Sequence, residues 1–204
     1  MSKPVWRGTN ALESWSWNNC EGNKTIVEVH TLEPYAELFI NGKSFGRKKT
    51  KAGEVQFKVR YQSGKVTAVT YDARGNKTGE SSLESAGKDV AVKLLPEETV
   101  IIAGEIVYIP VVVADKDGIV ECNADTRINI TVEGGSLLAF GSANPCTEEK
   151  YDSGSFTSYY GRALAIVHGT AAGTITVKAD SALGTAQCRI EVKETGKADR
   201  KGEA

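Results

Sequence analysis

The segment Ala36-Glu-Leu-Phe-Ile-Asn-Gly-Lys-Ser-Phe-Gly-Arg47 constrains the fold most. Leu38 and Ile40 share one face of an extended run, Asn41-Gly42 follows at once, and Lys43 to Phe45 lead the chain back. A two-residue Asn-Gly connection between apolar-rich runs favours a type I′ turn, in which both central residues take positive φ, so the chain reverses here as a β-hairpin. A second segment requires strand by period alone. Val55, Phe57, Val59 and Tyr61 alternate with Glu54, Gln56, Lys58 and Arg60, which sets one face on a core and the other in water.

The pattern continues in both directions. Val27 and Val29 alternate with Glu28 and His30, Val66–Ala73 is apolar on both faces and reads as central, Thr78 to Leu83 returns, and Val90 to Leu95 closes the set. Seven or so short strands within about 80 residues, with turn signals every ~10, give an immunoglobulin-like sandwich ending near Leu95-Pro96. A second series follows. Ile106 to Ala114 is almost all apolar, with Pro110 implying an edge or a bulge. Arg127–Glu133, Ser136–Phe140, Ala163–His168, Gly173–Ala179 and Thr185–Val192 complete another sandwich. The predicted organisation is all-β, as two tandem immunoglobulin-like β-sandwich domains: residues 1–14 a lead-in, 15–95 the first sandwich, 96–192 the second, and 193–204 a flexible charged tail. The 21 glycines and single methionine agree with strands joined by tight turns, and no helix has to be invoked.

Composition excludes some functions. A net charge of −1 leaves no electrostatic footprint for nucleic acid, and no ~20-residue apolar run spans a membrane. The basic run Arg47-Lys48-Lys49-Thr50-Lys51 reads as a solvated turn beside an edge strand. Residues 1–14 contain no apolar run of the signal-peptide kind, although an export signal of a longer parent would lie outside such a fragment. Cys20, Cys122, Cys146 and Cys188 lack metal-ligand spacing. Reduced, cytoplasmic thiols are the simpler account, and a Cys122–Cys188 bridge is the alternative.

Trp15, Trp17, Cys20-Glu21-Gly22, Glu37-Leu38, Asn41-Gly42-Lys43-Ser44 and Gly46-Arg47 together resemble the β-sandwich module that follows the catalytic barrel in glycoside hydrolase family 2 enzymes, chiefly β-galactosidases. Asp115-x-Asp-Gly-x-Val120, Val132-Glu-Gly-Gly135, Gly141-x-Ala-Asn-Pro145 and Gly161-x-Ala-Leu-Ala-Ile-Val167 are similar to the invasin-like C-terminal domain of the same enzymes, where the third motif often reads glycine-asparagine-glycine. The resemblance implies a non-catalytic accessory region whose partner is the catalytic barrel of a retaining glycosidase. A homo-oligomer is a further partner to weigh. Periodicity alone stops at a soluble tandem sandwich.

The chemistry-bearing residues agree with that reading. A retaining glycosidase needs two carboxylates about 5–5.5 Å apart, which the family carries on the barrel, and no strand-helix alternation here builds one; no catalytic residue is assigned. His30 and His168 fall in different predicted domains. Asp115, Asp117 and Asp125 read as turn residues before they read as a calcium loop, so no metal or cofactor is expected. Two groups remain as candidates for docking or carbohydrate contact. Trp15 and Trp17 add large apolar surface at the entry to the first sandwich, and packing or docking against the barrel outweighs a sugar platform. Asn144, Tyr159 and Tyr160 lie in the long loop Gly141–Arg162, where they could stack on sugar rings or cover the sandwich end. The competing functions are a carbohydrate-binding module and an adhesin-like structural spacer.

Overall fold

The structure, a computed structural model, describes residues 11–194. Among them the chain forms strands and no helix, hence no helix long and apolar enough to cross a membrane. It divides into two compact units between Lys88 and Asp89.

In the first unit, β1 (Lys24–His30) pairs antiparallel with β4 (Glu54–Arg60). The second layer is a four-stranded antiparallel sheet in the order β3 (Lys43–Lys49), β2 (Tyr35–Ile40), β5 (Lys65–Tyr71), β6 (Lys77–Glu84). The alternation in β4 and β2 does what its period demands. Val55, Phe57 and Val59 share a core with Ala36, Leu38, Ile40 and Val66. The hairpin turn has positive φ at both Asn41 (49°) and Gly42 (77°), as a type I′ turn requires. The Asn41 side chain also ties the turn to its neighbour: Oδ1 accepts from Lys65 N at 2.8 Å, and Nδ2 donates to Ser63 O at 2.9 Å.

The second unit has one sheet in the order β11 (Ser136–Gly141), β13 (Arg162–His168), β9 (Ile106–Ala114), β7 (Ala91–Leu94). The other runs β12 (Ser155–Thr157), β10 (Arg127–Glu133), β14 (Gly173–Ser181), β15 (Gly184–Lys193), β8 (Val100–Ile102), with β8 parallel to β15. Val107, Ile109, Val111 and Val113 meet Ile128, Ile175, Val177 and Ile190 in a shared core.

Several expectations change. The strand over Ala91–Leu94 belongs to the second unit instead of closing the first: it pairs with Val111–Ala114, and Val92 is buried in that core. The boundary therefore lies before Asp89, not at Leu95-Pro96. Pro110 sits on an interior strand. Its carbonyl accepts from Leu95 N at 2.9 Å, beyond the last β7 ladder pair, Leu94↔Val111. Amide and carbonyl of one antiparallel residue point to the same side, so the missing N–H falls where the neighbouring ladder has ended. The Gly141–Arg162 loop holds a strand of its own, β12. All four cysteines are free, so the Cys122–Cys188 bridge is not formed, and burial pushes the Cys188 thiol up. The lead-in over residues 1–10 and the tail over 195–204 lie outside the described residues, while Lys193 still belongs to β15.

Candidate functional site

Trp15 and Trp17 are built into the first unit. Trp15 is only 4% exposed and packs with Phe57, Val59 and Tyr61. Its ring lies 5.0 Å from that of Tyr61 at an interplanar angle of 59°, and its indole N–H donates to Gln62 O at 3.0 Å. Its carbonyl accepts from Tyr61 Oη (3.3 Å) and from Ser85 Oγ (2.5 Å). On either side, Trp17 N donates to Tyr61 Oη at 3.1 Å, and Ala86 N donates to the buried Ser16 Oγ at 2.8 Å. This strap joins the lead-in to the end of β6, and Trp17, half-buried, packs on the same core. Trp15 thus has almost no surface left to offer another domain or a sugar.

The tyrosine pair occupies a tight turn. Tyr159 and Arg162 exchange backbone hydrogen bonds (2.9 and 3.2 Å), and Tyr160 (φ 51°) and Gly161 (φ 67°) both take positive φ between them. A bulky residue at positive φ is uncommon, and here the position following it must be glycine: a Cβ on Gly161 would come 2.3 Å from the Glu121 carbonyl oxygen. Gly161 N donates to Asp125 Oδ1 at 3.2 Å and its carbonyl accepts from Val113 N at 2.8 Å, which pins the turn to the sandwich end. The two rings come together, with centroids 4.3 Å apart at 48°, both half-buried. Asn144 is half-buried and its Oδ1 accepts from Cys146 N at 3.0 Å, turning the chain around Pro145. Asp115 likewise makes a turn, its Oδ1 accepting from Asp117 N and Ile119 N, each at 3.0 Å.

The surface that sequence reasoning missed is the outer face of the β11-β13-β9-β7 sheet. In β9 the odd residues Val107 to Val113 point into the core, so Ile106, Tyr108 and Pro110 point out, paired with His168, Ile166 and Leu164 of β13. Ile106, Tyr108, Leu138 and Leu164 are 46%, 45%, 47% and 39% exposed, and Leu95 beside Pro110 is 49% exposed. The signal was present: Ile106–Ala114 is apolar on both faces, and a strand of that kind needs cover on both.

The corresponding sheet of the first unit is dressed differently. Arg47 lies over the Tyr71 ring at 3.4 Å and its guanidinium is 3.5 Å from Glu37 Oε2. Glu37 accepts from Ser44 Oγ at 2.6 Å and from Tyr71 Oη at 3.1 Å. The Ser44 hydroxyl, with Tyr71 and Arg47 behind it, holds the Glu37 carboxyl below its usual value against the opposing effect of burial. The outward Val69 is covered, at 6% exposure.

Residues 92–189 match the family model for glycoside hydrolase family 2 C-terminal domain 5, and residues 22–79 match a domain of unknown function, DUF4982. The chain is 29% identical over 169 residues to the beta-galactosidase BoGH2A of Bacteroides ovatus, covering 80% of this chain and 19% of that protein. A glycosyl hydrolase family 2 member from Bacteroides cellulosilyticus has a TM-score of 0.80 at 31% identity, over 89% of this chain and 24% of its own. A beta-glycosidase from Bacteroides vulgatus has a TM-score of 0.75 at 25% identity, over 89% of this chain and 24% of its own. The chain thus spans between 19% and 24% of the length of these relatives. Residues 92–189 thus form a glycoside hydrolase family 2 C-terminal domain, and over most of its length the chain is similar to the C-terminal β-sandwich region of family 2 enzymes.

Proposed function

We propose that this chain is the non-catalytic C-terminal portion of a β-galactosidase-like family 2 glycosidase, and that it supports the catalytic barrel by docking through the outer face of β9 and β13. The observation that carries the docking is the exposure of Ile106, Tyr108, Leu138 and Leu164 on that one sheet face. Covering the exposed parts of these four side chains would remove roughly 300 Å² of apolar surface from water, an upper bound of about 7 kcal/mol at ~25 cal/mol per Å². An apolar patch of that size is often functional on a monomer, and it would serve as the centre of an interface whose polar rim supplies the remaining area.

The names of the relatives support the class of parent, and the burial of Trp15 in its own unit favours the second sandwich over the tryptophan strap as the docking element. A second copy of the chain is the competing occupant of the face. Sedimentation separates the two, since self-association would give a concentration-dependent dimer of the isolated chain that Tyr108→Lys abolishes. The non-catalytic part of the reading is tested by incubating the purified chain with nitrophenyl β-galactoside. No turnover is expected, and turnover that follows the pure chain through a second purification would overturn it.

A further inference from the structure

The outer face of the β1/β4 ladder carries a cluster that docking does not use. Glu28 faces Gln56 and His30 faces Glu54, so the four side chains form one block on a rigid two-stranded frame. One ligand atom each from Glu28, His30 and Glu54 lies within 4.8 Å of the others. His30 Nε2 stands 3.7 Å from Glu28 Oε2. The Gln56 amide donates to Glu28 Oε1 at 3.2 Å and to Glu54 Oε1 at 2.8 Å, which holds two like charges side by side and directs the other oxygen of Glu28 to the imidazole. The Glu28 side chain is 11% exposed and that of His30 58%, so the carboxylate forms the floor of the cluster and the imidazole its outer wall.

The geometry points to a divalent transition-metal site formed by Glu28, His30 and Glu54, with zinc as the ion that fits best. An imidazole with two carboxylates is a mixed nitrogen and oxygen donor set, suited to zinc, whereas calcium and magnesium favour oxygen alone. With bonds of about 2.1 Å, neighbouring donors of a tetrahedral zinc lie about 3.4 Å apart. The Glu28–His30 separation is already close to that, and side-chain torsions bring Glu54 in while the ladder stays fixed. A dication also balances the two carboxylates, and Gln56 acts as the outer partner that orients them. The fourth position faces water.

The test is calorimetric titration of the metal-free full chain with zinc chloride, in a Cys146→Ser background because Cys146 is the exposed thiol. One equivalent is expected to bind. Affinity should fall by about tenfold or more in both His30→Ala and Glu54→Gln, with Lys58→Ala, on the same face, as the unaffected control and His30→Gln as the milder replacement. Excess calcium or magnesium should not compete. Failure to bind zinc, or binding that survives both His30 and Glu54 variants with unchanged affinity, would overturn the site.

Discussion

The outer faces of the two four-stranded sheets are built from similar strands and finished in opposite ways. In the first unit an arginine, a tyrosine, a glutamate and a serine bond and stack with one another on the outer face, and the outward Val69, opposite Glu37, is buried. In the second, the outer face of β9 and β13 holds Ile106, Tyr108 and Leu164, all well exposed. A sheet face that completes its own cover can be left to solvent, whereas an apolar one on a soluble domain marks a surface suited to a partner. The difference also shows that aromatic content alone does not locate exposed apolar surface. All three tryptophans fall within the first 17 residues of the sequence, yet Trp15 closes the core of the first unit, and the exposed apolar face is aliphatic apart from one tyrosine.

The largest effect is expected at Trp15. Trp15→Ala removes the ring that packs on Tyr61 and is expected to cost about 3–5 kcal/mol. Chemical denaturation with hydrogen exchange should show protection lost across β1 to β6. A docking tryptophan would instead leave the stability of the isolated chain nearly unchanged. Gly161→Ala comes next. A methyl group would meet the Glu121 carbonyl at 2.3 Å with φ at 67°, so a loss of about 2 kcal/mol or more is expected in the second unit, read from its unfolding midpoint. That outcome would mark the tyrosine turn as architecture before any ligand role.

A smaller effect is expected from Glu37→Gln, of order 0.5 kcal/mol because Arg47 is well exposed and solvent screens the pair. The sign with pH follows from the direction of the shift. The Glu37 carboxyl is held below its unfolded value, so its contribution is present above the ordinary carboxylate range and is lost as pH falls through the lower folded value. The difference between wild type and Glu37→Gln should therefore shrink on acidification in paired melts. The least change is expected from Tyr108→Lys with Leu164→Lys, within about 0.5 kcal/mol for the isolated chain, since neither side chain supports the core. Binding of a hydrophobic dye to the native chain should fall at the same time.

Local chemistry made the first unit's elements readable in the sequence. Asn41-Gly42 specifies its own turn, and the alternation in Glu54–Arg60 specifies its own inner face. Long-range choices were less accessible. Ala91–Leu94 alternates in a way that suits either sandwich, and only the pairing of Leu94 with Val111 and the burial of Val92 decide which one takes it. The position of Trp15 depends on Tyr61 and Ser85, which are distant in the chain. The tyrosine pair was legible as a turn next to Gly161, but the juxtaposition of its rings was not. The apolar character of Ile106–Ala114 was evident, whereas the exposure of its second face required the sheet order. Alternation put Glu28 and His30 on one face, but the third member of their cluster, Glu54, gave no local signal because the partner strand supplies it.

The most direct measurement joins this chain, as C-terminal region, to a family 2 catalytic barrel and follows the half-life of glycosidase activity on heating, with and without Tyr108→Lys and Leu164→Lys. The expected result is several-fold faster inactivation of the double variant while the isolated chain unfolds at its original midpoint. Equal half-lives for the two joined proteins would contradict the outer face of β9 and β13 as the docking surface.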